Sequence, residues 1–275
     1  MKAELLTSIP DSIDEQELRD NRKTKWLGQE LVYLKETDST NNQIKSLASE
    51  GFPEGTVVIA ESQTAGRGRR GRAWESPAGS SIYMSLLLRP QIRPDNASML
   101  TLVAALAVSK AVSKLTRKQA GIKWPNDLVM NGKKICGILT EMSLQSTDID
   151  HIVVGIGINV HADAFPEEIT NMATSLFLET GVHYKRSELI LAVWEAFEDY
   201  YEIYLKTEDV SALTEEYNAN LANLHQMVKV LDPNEPFEGK ALGITERGEL
   251  IVDTLEGRKL VSSGEVSVRG IYGYV

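Results

Sequence analysis

The chain has 275 residues, 42 % hydrophobic and 25 % charged, enough for one large and one small domain and for a core that needs neither disulfides nor structural metal. Its 29 Lys and Arg against 39 Asp and Glu give a formal net charge of −10. That balance repels nucleic-acid phosphates and anionic membranes on average, so an anion site here requires local clustering of basic side chains. The single cysteine, Cys136, excludes an intramolecular disulfide and suits a reducing cytoplasm, and no signal pattern or apolar run near ~18 residues is seen, so no membrane contact is expected.

Residues 1–25 are polar and acidic with a Pro10-Asp11 turn signal, and read as a short leader or helix. Leu31 to Leu34 is a predicted strand. Asp38-Ser39-Thr40 opens an amphipathic stretch that stops at Gly51, with Thr40 and Gln43 spaced like a capping box. Thr56 to Ala60 and Ser81 to Leu88 are β-rich runs on either side of a Gly/Arg loop. Met99, Leu102, Val103 and Leu106 begin a helical repeat that continues to Leu115, before Gly121. Ile135 to Met142 and Ile152 to Val160 are strands, Ser187 to Leu205 is a strongly periodic helix, and Val210 to Ala222 a further one. Beyond His225, short strands alternate with turns at Asp232-Pro233-Asn234, Glu246-Arg247-Gly248, Glu256-Gly257 and Ser262-Ser263-Gly264, the texture of a small β-barrel. The expected organisation is a leader over 1–25, a mixed α/β domain over 26–224 and a small β domain over 225–275.

Gly66-Arg67-Gly68-Arg69-Arg70-Gly71-Arg72 puts four arginines into seven residues of an acidic chain. Guanidinium groups so close repel one another, and their planar forks suit phosphate and carboxylate. The loop matches G-x-G-x-x-G, but a dinucleotide fold needs a helix directly after it, and here Trp74 to Gly79 leads into a strand. An anion-clasping loop is the favoured reading; a solvated basic loop is the plainer alternative, and a nucleic-acid patch lacks interleaved aromatics and a basic surround. Ile122 to Leu128, with Lys123, Asn126 and Asp127, reads as a turn carrying either exposed charges or ligand groups. Lys133-Lys134 opens an apolar strand, and Gly155-Ile156-Gly157-Ile158-Asn159 allows either close packing or a ligand contact. His151, His161, His183 and His225 have no metal-ligand spacing, so no protein-held metal is expected.

The succession Asp38-Ser39-Thr40-Asn41, Gln63 through Arg72 with Trp74, Lys123 through Asp127, Lys133 to Gly137 and Gly155 to Asn159 resembles the biotin–protein ligases, from about residue 26 to the end. The resemblance implies an α+β fold: a central mixed-sheet catalytic domain of the class II synthetase-like, biotin/lipoate ligase type, followed by an SH3-like β-barrel. It implies ATP-dependent activation of biotin to biotinyl-5′-AMP, then transfer to a lysine of a biotin carboxyl carrier protein, with Mg²⁺ accompanying ATP. Ser39, Thr40, Asn41, Gln63, Gly66, Arg67, Gly68, Arg69, Lys134 and Gly137 would contact biotin. Arg69, Arg72, Trp74, Lys123, Asn126 and Asn159 would serve ATP. Lys134, Arg69 and Asp127 would carry the chemistry, with Asp127 weighed as acceptor of the incoming lysine's proton. A homodimer is a family expectation. Many relatives carry an N-terminal DNA-binding module of roughly 60 residues; only about 25 residues precede the catalytic region here, so no direct DNA binding is expected. The nearest alternative is a lipoate or octanoate ligase or transferase of the same fold, for which Cys136 would be the nucleophile to consider; its apolar strand favours a core role. A non-enzymatic biotin or nucleotide sensor is the alternative of another class.

Overall fold

The computed structural model describes residues 12–232, 235–263, 267–271 and 273–275. The Pro10-Asp11 turn and parts of two C-terminal turn signals, Pro233-Asn234 and Gly264, lie outside them.

A seven-stranded sheet organises the larger part of the chain. Its strands are β1 (Leu31–Thr37), β2 (Val57–Gln63), β3 (Ser81–Leu88), β4 (Gly121–Lys123), β5 (Asp127–Met130), β6 (Lys133–Gln145) and β7 (Asp148–Asn159), in the order β1-β2-β3-β7-β6-β5-β4. Only β1 and β2 are parallel, joined by the crossover helix α2 (Thr40–Ser49); the other neighbours are antiparallel. Every residue of β3 is buried, which requires cover on both faces of the sheet.

The two covers differ. On one face lie α3 (Leu100–Thr116) and α5 (Arg186–Thr207), packed on each other and on Met84, Leu86, Val154, Ile156 and Ile158. On the other face α2 packs Ile44 and Ala48 against Val58, Leu87 and Val153. Because side chains alternate along a strand, Tyr83 and Ser85 of β3 and Gly155, Gly157 and Asn159 of β7 share the α2 face. α2 covers the Leu87–Val153 end of that face and leaves the Tyr83–Gly157 end without a helix over it.

α3 continues the 3-10 turn Pro94–Met99, and the joined helix Pro94–Thr116 is long and apolar enough, at 23 residues and a mean hydropathy of 1.5, to cross a membrane by length and composition. The sequence reading saw no run of that kind. Its residues are spent inside the protein: 72 % of the window is buried, as expected of a helix apolar on nearly all sides.

Smaller elements complete the layers. α1 (Glu15–Asn21) is capped by Asp14, whose carboxylate accepts from the backbone N–H groups of Gln16 and Glu17. α4 (Leu176–Thr180), capped by Ser175, and the short hairpin of β4 and β5 were not foreseen. The expected helix over 210–222 is a 3-10 turn, Ser211–Leu213, running into α6 (Thr214–Asn220). The capping box at Thr40 and Gln43 does not form. Asp38 takes the polar groups of that turn instead, accepting from Ser39 N–H, Asn42 Nδ2 and Gln43 Nε2, and the Asn42 contact heads the interactions that hold its carboxyl down at about 2.

The second sheet is antiparallel throughout: β8 (Met227–Leu231), β9 (Phe237–Ile244), β10 (Leu250–Thr254), β11 (Gly257–Val261) and β12 (Ser267–Gly270), ordered β11-β10-β9-β8-β12. Its β9–β10 turn docks on the first sheet's helices. Gly248, at φ +76°, leaves no room for a Cβ beside Leu102 of α3, and its carbonyl accepts the indole N–H of Trp124 at 2.9 Å.

Candidate active site

One row of residues runs across four antiparallel pairings of the first sheet: Lys123 faces Asp127, Asp127 faces Gly137, Gly137 faces Gly157, and Gly157 faces Tyr83. Charges stand at one end and an aromatic at the other, with a glycine floor between. A Cβ on Gly157 would meet only the Gly137 carbonyl, at 3.9 Å, so the space above it is open. Gly155 is different: Asn41 Oδ1 sits 2.1 Å from where its Cβ would be. Close packing thus holds at Gly155, while Gly157 leaves open space above the strand.

Two adjoining cavities of about 80 and 410 Å³ lie on this floor. The narrow one is lined by Ser39, Thr40, Asn41, Gln63, Arg67 and Gly137, with apolar surface from Trp74, Tyr83 and Leu139. The wide one is lined by Arg69, Arg72, Lys123, Asn126, Asp127 and Arg269, with an apolar side from Phe165, Ile169 and Met172. Gly68, Trp74, Tyr83, Lys134 and Asn159 line both; Gly66 lines neither and acts on the loop's shape. The sequence-predicted residues therefore come together here.

The narrow cavity's polar groups are pre-set. Gln63 Oε1 accepts from the Thr40 backbone N–H at 2.9 Å, and its amide donates to Ser76 Oγ at 3.1 Å. Ser85 Oγ stands 2.8 Å from Thr40 Oγ1 and 2.6 Å from Asn41 Oδ1, while Asn41 Nδ2 donates to Glu141 at 2.7 Å. Such locked side chains present fixed donors and acceptors without further ordering cost.

The Gly/Arg loop folds as a small hairpin. Trp74 N–H donates to Gly66 O and Gly68 N–H to Arg72 O, with a 3-10 turn at Arg69–Gly71; no helix follows, which removes the dinucleotide reading. Gly66 is obligatory by space, since a Cβ would lie 2.5 Å from both Ser76 Oγ and Trp74 O. Arg67 bonds Asn42 of α2. Arg69 donates to Asn126 Oδ1 at 2.9 Å and to the Ser263 carbonyl at 2.6 Å, tying the loop to both sheets. Arg72 is exposed at the rim.

Lys134 reaches the floor through a β-bulge. Pairing runs Leu128 to Cys136 and then Val129 to Lys134, so Ile135 has no partner. Ile135 and Cys136 both enter the core, and Lys134 turns to the face of Gly137. Its strand edge is pinned by Lys134 N–H to Met172 O and by Thr174 N–H to Lys134 O. The ammonium lies 2.6 Å from Asp127 Oδ1 and 5.4 Å from the Trp74 ring centroid.

Lys123 and Asp127 are 5 % and 8 % exposed. Burial lowers Lys123 to about 8, against the charge of Asp127, which pulls it up. Burial alone would raise Asp127, but the charges of Lys134 and Lys123 and hydrogen bonds from Lys134 and Tyr274 hold it below the usual carboxylate range. A carboxylate so held is a weak base, which counts against the proton-acceptor role weighed for it in the sequence. Asn159 Nδ2 donates to the Thr174 carbonyl, and the residue lines both cavities. Cys136 is 1 % exposed and burial pushes its thiol well above the ordinary range, so it is a core residue and no nucleophile. Sequence reasoning missed Tyr83, Ser85, Glu141, Arg269 and Tyr274; none stands in a local pattern that would single it out.

Among the described residues no group of three His, Cys, Asp or Glu side chains is placed to hold a metal ion. Basic side chains outnumber acidic ones around the wide cavity, where Arg69, Arg72, Lys123, Lys134 and Arg269 face Asp127 and Glu75. The basin suits a polyanion within an acidic protein.

Residues 33–159 match the biotin/lipoate A/B protein ligase family, and residues 224–269 match the biotin protein ligase C terminal domain. The bifunctional ligase/repressor BirA of Bacillus subtilis is 37 % identical over 265 residues, 96 % of this chain and 81 % of that protein. The biotin–[acetyl-CoA-carboxylase] ligase of Paracoccus denitrificans is 34 % identical over 242 residues, 86 % of this chain and 100 % of that one. Among solved structures, the biotin protein ligase from Aquifex aeolicus in complex with biotin and ATP superposes with a TM-score of 0.78 at 34 % identity, covering 88 % of this chain and 99 % of that one.

Proposed function

Because the chain belongs to the biotin–protein ligase family, we propose that it activates biotin with ATP and joins it to a lysine of an acceptor protein, with the two cavities holding the two substrates. The observation that carries the reading is Lys134: it lines both cavities, so a carboxylate in the narrow one and an α-phosphate in the wide one would meet at its ammonium.

The narrow cavity has fixed amide and hydroxyl partners, Thr40 and Gln63, and apolar surface from Trp74, Tyr83 and Leu139. That suits a ureido ring followed by a thioether ring and an aliphatic chain. The wide cavity has a cationic side for a triphosphate and an apolar side for a base. In the first step a biotin carboxylate oxygen attacks the α-phosphorus; a P–O bond forms, the bond to the β-phosphate oxygen breaks, and pyrophosphate leaves. Two anions must approach, and Lys134, Lys123, Arg69 and Arg269 stabilise the charge that builds on phosphoryl oxygens, each such contact worth about 2–4 kcal/mol in comparable sites. Mg²⁺ would enter as the companion of ATP, carried on its phosphates.

In the second step the acceptor amine attacks the acyl carbon, a C–N bond forms, the acyl C–O bond breaks and AMP leaves. The Gly/Arg hairpin, with Gly71 at φ +69°, is suited to shield the adenylate from water. The acceptor is of the biotin carboxyl carrier type. Net charge −10 supports a chain that does not itself hold DNA. The test is incubation of the protein with biotin, MgATP and a purified carrier domain, read by mass. A gain of one biotinyl group on one lysine supports the reading; an unmodified carrier, or modification only in a parallel incubation with lipoate in place of biotin, refutes it.

A further inference from the structure

Asp127 divides its two oxygens. Oδ1 takes the Lys134 ammonium at 2.6 Å, and Oδ2 accepts the phenol hydroxyl of Tyr274 at 2.5 Å while standing 3.9 Å from Lys123 Nζ. The Tyr274 ring lies over that same ammonium, 4.3 Å from Nζ to centroid. Tyr274 follows β12, so this contact reaches from the end of the second sheet into the floor of the first, 147 residues away in sequence.

A buried lysine beside a buried carboxylate ordinarily closes to a contact pair, because neither charge has water to satisfy it. Here the oxygen nearest Lys123 already accepts the Tyr274 hydroxyl, and the pair stands at 3.9 Å. The ring replaces water on one side of the ammonium and keeps it charged through the quadrupole. One carboxylate thus serves two lysines without cancelling both, and a positive surplus faces the wide cavity.

We propose that Tyr274 is a positioning residue for the adenylation step: by holding Asp127 and roofing Lys123, it lets the second sheet aim the phosphate-binding lysines of the first. The inference rests on the ligase reading and adds to it a residue outside the catalytic sheet. Arg69 supports the same coupling, since it bonds Asn126 of the first sheet and the Ser263 carbonyl of the second.

The test uses full-length Tyr274→Phe, which keeps the ring, and Tyr274→Ala, which removes it. Biotin-dependent pyrophosphate exchange is followed with ATP varied, and ATP and biotin binding are measured separately by calorimetry. Expected for Tyr274→Phe is an ATP KM raised at least fivefold with biotin Kd unchanged within twofold, because Lys123 closes on Asp127. The pH profile adds a signature that loose packing would not produce. The groups facing Lys123 are Asp127, Lys134, Arg69, Arg269 and Tyr274, and only Lys123 is brought down to about 8. For the native protein the expected kcat/KM for ATP falls above about pH 8 as Lys123 loses its proton. Both variants move that limb upward, Phe by tightening the Asp127 pair and Ala by admitting water as well. Variants with a lowered Tm but an unchanged ATP KM, ATP Kd and alkaline limb overturn the proposal. A native protein that binds ATP without exchange refutes the ligase reading alone; the ATP Kd of Tyr274→Phe still decides this one.

Discussion

Gly137→Ala separates the geometry of the site from the stability of the fold. The new Cβ would lie 2.9 Å from Lys134 Nζ, 3.0 Å from its Cε and 3.7 Å from Asp127 Oδ1. Carbon contacts settle near ~3.5 Å, so the lysine tip must retreat by roughly half an ångström. No backbone atom is among those contacts, and the tip of a flexible side chain yields cheaply. The stability cost is therefore below about 1 kcal/mol, a Tm change of no more than ~2–4 °C in a chain of this size. The function is less tolerant: the 2.6 Å contact to Asp127 is stretched by up to about half an ångström, and since a misplacement of ~1 Å at a reacting centre costs about 100-fold, one of half that size costs about 10-fold or more. Exchange is expected to fall between about 10- and 100-fold. Because Gly137 also lines the narrow cavity, the assay is a double-mutant cycle with Lys134→Met. If the methyl acts through Lys134, Gly137→Ala costs little more in the Lys134→Met background. An equal fold-loss in both backgrounds, or no loss in either, refutes the argument.

Asp127→Asn should impair the adenylation step itself, by about 100-fold, since an amide cannot hold two ammonium groups apart and charged; loss confined to transfer from preformed adenylate would restore the proton-acceptor role. Cys136→Ala should retain both exchange and transfer, with a loss of about 1–2 kcal/mol for the small buried cavity, and an inactive but folded variant would contradict the core assignment. Asp38, held at about 2 in the folded chain against an ordinary 3.8, contributes stability that is present above pH 3.8 and lost as pH falls toward 2. Asp38→Asn should thus lower Tm at pH 6 and converge on the native protein near pH 2; a constant Tm difference across that range would contradict the assignment.

Long elements were legible because their periodicity is strong: α3, α5, β3 and β7 fall where the apolar pattern put them. The β4–β5 hairpin and α4 were not, because elements of three to five residues carry too little pattern to be told from a turn. The site divides similarly. Glycine, arginine and lysine clusters are conspicuous in sequence, and the residues they flagged meet at two cavities. Tyr83, Ser85 and Tyr274 are ordinary members of a strand or a tail, and only register or a long-range contact brings them to the floor. The bulge at Ile135 is the clearest case: strict alternation would aim Lys134 with Cys136 into the core, and one unpaired residue turns it to the ligand face. The Thr40–Gln43 capping box failed because a third residue, Asp38, captured Gln43, while Thr40 turned to Gln63.

The central claim is that an acid in the narrow cavity and ATP in the wide one react at Lys134. Exchange of labelled pyrophosphate into ATP tests it most directly, with biotin, lipoate and octanoate supplied in parallel. The account predicts exchange with biotin alone, reduced about 100-fold but still measurable in Lys134→Met. Exchange supported by lipoate or octanoate, or undiminished in Lys134→Met, would contradict it.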